Sequence, residues 1–295
     1  MAFEKLSRLD STQPSTEKSG KDYIVEQIKK NYSEEFHPIV TQLKERMSRE
    51  DFKKFSEYLG TGRNGFALRV EVNGKTYAIK FFYNPRSQME HELNPLLQAK
   101  NIPHTIQLIS YSFEDGVIIT ELLPGKNLAD LTPEETPLYS DKQIIQLIDT
   151  VRKLNTNGLQ IDPKPSNFIY HPEKGFSLLD FQPKKNYTLP QQIIDLNIAF
   201  AARKFEQLDY NSPDYEEKRR VQKVQKYKIY LPTMTRFLSI LKEKYPDILT
   251  EWHKLQQEKK EKNPNMLLST IIDWGDIPQH PELEPYIKKL REMGF

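Results

Sequence analysis

Residues suited to phosphate chemistry are concentrated in the first two thirds of the chain. Gly60-Thr61-Gly62-Arg63-Asn64-Gly65 is a Gly-x-Gly-x-x-Gly run. Lacking side chains, such a backbone can fold closely over phosphates and offer them N–H groups. A β-prone stretch, Phe66 to Val72, follows it, whereas a dinucleotide-binding fingerprint runs from a strand into a helix. The glycines Gly60, Gly62 and Gly65 are therefore expected at the turn of a hairpin. Fifteen residues past Gly65, Tyr77-Ala78-Ile79-Lys80 ends in a lysine that strand alternation puts on the same face as Ala78. From there an ammonium can reach α- and β-phosphates while its stem packs against apolar neighbours. Taken alone, the first feature is an ordinary glycine turn and the second a solvated lysine.

Downstream the chain reads Leu159-Gln160-Ile161-Asp162-Pro163-Lys164-Pro165-Ser166-Asn167-Phe168-Ile169, then Phe176-Ser177-Leu178-Leu179-Asp180-Phe181-Gln182. Here the sequence resembles the protein-kinase superfamily. Asp-x-Lys-x-x-Asn is similar to its catalytic loop, and Leu-Asp-Phe-Gln to its metal-binding Asp-Phe-Gly. The five-residue step from Asp162 to Asn167 and the eighteen-residue step to Asp180 agree with that family. The resemblance implies that Asp162 accepts or orients the proton of the attacking hydroxyl and that Lys164 neutralises charge on the transferring phosphoryl group. It implies Asn167 and Asp180 as ligands for magnesium or manganese, with ATP as phosphoryl donor. Lys164, two places after the aspartate, is similar to the serine/threonine kinases. Of two candidates to orient Lys80, Glu90 and Glu92, the family pattern favours Glu92, which is followed four residues later by Leu96. Ile119 to Gly125 resembles the inter-lobe hinge, with adenine bound by backbone from Glu121 to Leu123, Thr120 as gatekeeper, and Val70 and Ala78 as apolar contacts.

The sequence also departs from the family. Gln160-Ile161 stands where His-Arg is usual, Gln182 replaces a glycine, and only fourteen residues separate Asp180 from Asp195, with no Ala-Pro-Glu among them. Asp195 to Phe200 resembles the buried central helix of the larger lobe. This shortened plan is similar to minimal effector kinases of Gram-negative bacteria and covers roughly Tyr58 to Phe205. The resemblance thus implies an ATP-dependent serine/threonine protein kinase, either cytoplasmic or delivered into a host cell, whose substrate the sequence does not name. Two other readings stay open: a pseudokinase that binds nucleotide without transfer, and a kinase for a small molecule or lipid.

Positioning these residues requires a particular set of elements. The expected fold is α+β: a two-lobed, protein-kinase-like arrangement with a small antiparallel β N-lobe, a mainly helical C-lobe and helical flanks outside the family pattern. Asn73-Gly74 between two β-prone runs is a strong hairpin signal, since both central residues of a type I′ turn need positive φ. A second strand pair is expected at Ile106 to Phe113 and Val117 to Leu122. Ser140 with Gln143 forms a capping box, Ile144, Ile148, Val151 and Leu154 give one apolar face, and Gly158 supplies a left-handed stop. Ile193 to Phe200 is expected as one helix buried on nearly all sides. The expected divisions are a disordered 1–20, a helical extension 21–57 with apolar positions Ile24, Ile28, Ile39, Leu43 and Met47 broken near Pro38, an N-lobe 58–123, a C-lobe core 124–210 and a charged helical part 211–295.

Composition removes several alternatives. The 295 residues include no cysteine, which excludes disulfides, thiol nucleophiles and thiolate zinc sites, and the six histidines have no metal-site spacing. A net charge of +2 gives no nucleic-acid signature. No apolar run approaches the roughly 20 residues of a transmembrane helix, and the polar first twenty residues lack a secretory pattern. Lys218 to Lys228 is basic on several faces, which suits a solvated helix surface or a site for a polyanion or acidic partner.

Overall fold

The computed structural model describes residues 33–49, 51–136, 138–201, 207–262 and 277–295, and within them the chain is α+β. The expectations for 1–20 and for a helix through Ile24 and Ile28 lie outside the described residues. Helix α1 (His37–Met47) has Pro38 in its first turn, where a missing N–H costs nothing, so this proline opens the helix instead of breaking it. The helix also stops at Met47 and is followed by a 3-10 turn at Phe52–Lys54, short of the expected Glu57.

A five-stranded antiparallel sheet comes next, built from β1 (Tyr58–Thr61), β2 (Gly65–Val72), β3 (Lys75–Phe82), β4 (Leu108–Ser112) and β5 (Val117–Glu121) in the order β1-β2-β3-β5-β4. Asn73 and Gly74 both have positive φ, 53° and 72°, as the hairpin signal requires. Alternation then sorts the side chains. Phe66, Leu68 and Val70 of β2 join Ile79 and Phe81 of β3 on one face, under Phe36, Val40 and Leu43. Phe36, α1 and Phe55 thus complete the core of the sheet and are not an appendage to it. On the other face of the sheet, α2 (Pro85–Gln98) packs Met89 and Leu93 against Phe82, Tyr111 and Ile118.

From Glu121 the chain crosses to the helical half through residues 122–125. Gly125 has φ +117°, and a Cβ there would lie 2.3 Å from the Tyr170 carbonyl oxygen, so only glycine fits this crossing. Strand β6 (Lys126–Asn127) leads on to helix α3 (Asp141–Thr156), which carries both reciprocal bonds of the Ser140/Gln143 capping box and ends at Gly158, φ +74°. Short strands that the sequence pattern did not signal follow it. They are β7 (Leu159–Ile161), β8 (Phe168–His171), β9 (Gly175–Leu178) and β10 (Phe181–Pro183), paired as β6-β8-β9 and β7-β10. The expected single helix over 193–200 is two, α4 (Leu189–Ile194) and α5 (Leu196–Ala201), meeting at Asp195. Ile198 is 48% exposed, so that stretch is not buried all round.

Helices α6 (Tyr215–Lys244), α7 (Pro246–Lys262) and α8 (Glu284–Glu292) finish the described chain. One continuous core joins α3 (Ile144, Leu147, Val151) to Phe168 and Phe176, to Phe237 and Leu241 of α6 and to Ile287 of α8. The boundary expected at 210 therefore does not separate two cores. Among the described residues no helix is long and apolar enough to cross a membrane.

Candidate functional site

A cavity of about 590 Å³ opens between the sheet and the helical half, within the range of small-ligand sites. Its roof is the loop from β1 to β2 with Gly60, Gly62 and Gly65; Ala78, Lys80 and Glu92 form one wall; Thr120 to Leu123 form the back; Asn167 and Asp180 lie on the helical side. Apart from Val70, the residues singled out by sequence for nucleotide and metal binding line this one space. Val70 faces away, in the core beneath α1, because it pairs with Tyr77 on the buried face of the hairpin. Ala67, opposite Lys80 in the register, takes the cavity-facing place expected of Val70.

The three glycines are there for different reasons. Gly60 has φ +152°, a conformation that side chains disfavour. A Cβ on Gly65 would lie 1.9 Å from the Phe81 carbonyl oxygen, so strand packing forbids one. Gly62 has neither constraint: its backbone is ordinary and the nearest neighbour of an added Cβ would be the Gly65 carbonyl oxygen at 4.0 Å. The fold does not require a glycine at 62, whereas close approach of a ligand would.

Lys80 donates to Oε2 of Glu92, while Glu90 is exposed on α2, so the structure pairs Lys80 with the glutamate that the family pattern favours. The other Glu92 oxygen accepts a hydrogen bond from Asn64 Nδ2 at 3.1 Å. Asp162 and Lys164, the expected catalytic residues, are not among those lining the cavity; Lys164 Nζ lies 2.6 Å from Asp162 Oδ2, and this carboxylate holds the ammonium above its ordinary pKa. Asn167 donates its side-chain N–H to the Asp162 carbonyl at 3.1 Å, which turns its amide oxygen into the end left for a ligand. The Leu179 amide donates to the Asn167 carbonyl at 2.8 Å, so Asn167 also anchors the stretch just past β9 that carries Asp180.

Partial desolvation pushes the Asp180 carboxyl above its ordinary pKa, Glu92 and Asp162 push it the same way, and Lys80 and Lys164 oppose them. Three carboxylates thus share this site with two ammonium groups. The excess negative charge, with two oxygen donors facing one cavity, is what a hard divalent cation would relieve. No group of three His, Asp or Glu side chains arranged to hold a metal occurs among the described residues. The donor set fits magnesium, which takes one or two protein ligands and completes its shell with phosphate oxygens and water.

At the back wall Thr120 is buried and Glu121 ends β5. The Glu121 amide donates to the Gln107 carbonyl at 3.1 Å, and Leu122 and Leu123 continue the back wall past the strand end.

The unusual glutamines have structural work to do. Gln160 is buried and accepts from the Lys185 amide at 2.9 Å, which fastens the segment after Asp180 to β7. Gln182 lies extended in the β10–β7 ladder opposite Gln160 and needs no glycine freedom. Gln192, fully buried, accepts from the Ile161 amide at 3.1 Å and donates to the Tyr187 carbonyl at 3.0 Å, bracing the peptide that precedes Asp162. Tyr187 donates its hydroxyl to Asp195, and burial raises the pKa of both groups. Sequence reasoning singled out neither Gln192 nor Tyr187, because no short spacing rule connects them to the segment from Asp162 to Asn167. In the basic run Lys218, Arg219 and Arg220 meet Asp214, Glu216 and Glu217 on the same helix end, and Lys228 meets Glu282, which supports the solvated-surface reading. No protein-family model matches the chain, and no curated protein matches it.

Proposed function

We propose that this chain is an ATP- and magnesium-dependent phosphotransferase with a two-lobed, protein-kinase-like fold, and that it transfers the γ-phosphate to a serine or threonine hydroxyl of a protein. The observation that carries this reading is the Lys80–Glu92 ion pair facing Asn167 and Asp180 across a cavity roofed by the glycine loop. In this reading adenine stacks between Ala78 and the helical half, against Leu123 and beside Thr120. Lys80 holds the α- and β-phosphates in place. Asn167 and Asp180 would hold magnesium, which when bound neutralises charge on the phosphates. The acceptor hydroxyl oxygen bonds to γ-phosphorus as the bond from that phosphorus to the β–γ bridging oxygen breaks, and ADP leaves. Asp162 orients the hydroxyl and takes its proton, while Lys164 offsets charge on the moving phosphoryl group.

A kinase for a small molecule or lipid is the second reading, favoured by one observation. The segment after Asp180 is laid on β7 as β10 and leads within a few residues into α4, which leaves little chain for docking a peptide.

The test is incubation of the protein with magnesium and γ-labelled ATP, alone, with a generic basic protein, and with a panel of sugars, aminoglycosides and inositides. Label on protein is expected, and Asp162→Ala should lower it by roughly 100-fold or more while nucleotide still binds. Label confined to the panel would select the second reading. Equal transfer by Asp162→Ala would remove the assignment of Asp162.

A further inference from the structure

Glu92 uses both of its oxygens, and the two donors come from different elements. Lys80 on β3 occupies Oε2, and Asn64 on the glycine loop occupies Oε1 at 3.1 Å. A carboxylate held by one donor can still turn about its terminal bond, where the torsional well is broad, whereas two donors fix it. The loop is itself braced on both sides of Asn64. The Asn64 carbonyl accepts from the Tyr83 amide at 3.0 Å, and the Tyr83 hydroxyl meets the Thr61 hydroxyl at 2.9 Å. Gly60, Gly62, Gly65, Lys80 and Glu92 all line the cavity, and Asn64 does not. The contact between loop and helix thus coexists with an open cavity of about 590 Å³ and takes none of a ligand's space.

We infer that Asn64 is a positioning residue for nucleotide binding: its side-chain amide locks Glu92, and through Glu92 it holds Lys80 and the glycine loop as one prearranged phosphate clamp. This rests on the phosphotransferase reading. Asn64 acts through Glu92 and touches no reacting atom. Because α- and β-phosphates are gripped alike before and during transfer, the effect belongs mainly in nucleotide affinity and KM, with a smaller change in kcat.

The decisive variant is Asn64→Asp. It keeps the shape and turn preference of asparagine but removes the N–H donor and sets a second carboxylate against Glu92. If Asn64 served only to shape the turn, this change would be mild. If it locks Glu92, magnesium-nucleotide Kd and KM should rise by roughly tenfold or more, about the loss of one hydrogen bond to a charged group. Asn64→Ala, which loses the donor without adding charge, should fall between wild type and Asn64→Asp. Binding of a fluorescent ATP analogue with magnesium gives the affinity, and a thermal melt without nucleotide verifies that each variant is folded. Lys80→Met separates the two levels of inference. If wild type binds, Lys80→Met does not, and Asn64→Asp binds like wild type, the positioning role is wrong and the phosphotransferase reading stands. If wild type binds no better than Lys80→Met, both fall.

Discussion

Asp180 is exposed to the cavity, yet partial desolvation of its carboxyl, with Glu92 and Asp162, raises its pKa against the opposing pull of Lys80 and Lys164. Its folded-state pKa is raised, so between its unfolded and folded values the native chain binds more protons than the unfolded one. Stability therefore falls as pH climbs through that window. Asp180→Asn removes the penalty. In the absence of nucleotide and metal the variant should be more stable than wild type at pH 7, by a margin that solvent screening of this exposed residue keeps small, and magnesium-dependent nucleotide binding should be lost. The stability gain should shrink as pH falls and wild-type Asp180 takes up its proton. Denaturant titrations at pH 7 and near pH 4 measure it, and a variant less stable at pH 7 would contradict the account of site charge. Single residues were legible in the sequence where chemistry and spacing coincide, as for Lys80, Asp162, Asn167 and Asp180. They were not legible where a polar side chain acts across the fold: nothing in the sequence around Asn64 or Gln192 announces the partners Glu92 and Ile161. Val70 shows a different failure: it was carried over from the resemblance as an apolar contact, whereas the hairpin register puts Ala67, not Val70, opposite Lys80.

At the scale of elements, the glycine loop separates what the fold needs from what a ligand needs. Gly65 touches the Phe81 backbone, whereas Gly62 has space and ordinary dihedrals. Gly65→Ala should destabilise the sheet by about 2 kcal/mol or more through backbone displacement. Gly62→Ala should leave stability unchanged or raise it by about 0.5 kcal/mol, since alanine restricts the unfolded chain, yet weaken nucleotide binding. Comparing melting temperature with nucleotide affinity for the two variants checks both halves of this claim. Equal affinity in Gly62→Ala and wild type would leave Gly62 without a phosphate-related role. The long and well-punctuated elements, the β2–β3 hairpin and α3, were readable because alternation, the Asn-Gly turn, the capping box and Gly158 agree with one another. The strands β6 to β10 were not, at two to four residues each, because so short a run shows no period. Pro38 was read as a break because a proline alone does not say whether it stands inside a helix or in its first turn.

At the scale of the molecule, the cavity lies between the sheet, whose core under α1 is on the far face, and the half built around α3 and α6. The crossing at Gly125 lies against Tyr170, and Asn167 ties the segment after Asp162 to the stretch between β9 and β10 that bears Asp180. Composition showed that the chain could fill such cores, but it could not show that Phe36, α1 and Phe55 close one of them and α6 and α8 the other. Those contacts span long stretches of sequence. A nucleotide in the cavity would touch both halves at once, with Ala78, Lys80 and the loop on one side and Asn167 and Asp180 on the other. A ligand that binds only the assembled form stabilises it by about 2.7 kcal/mol at a concentration 100 times its Kd. Magnesium with a non-hydrolysable ATP analogue should therefore slow exchange of the most protected amides in β3 and in α3 alike, by roughly 100-fold at that concentration. Hydrogen exchange read separately on the two elements makes the comparison. Protection gained in β3 alone would mean that the nucleotide sits on the sheet without engaging Asn167 and Asp180, and the transfer geometry would then lose its support from the helical half.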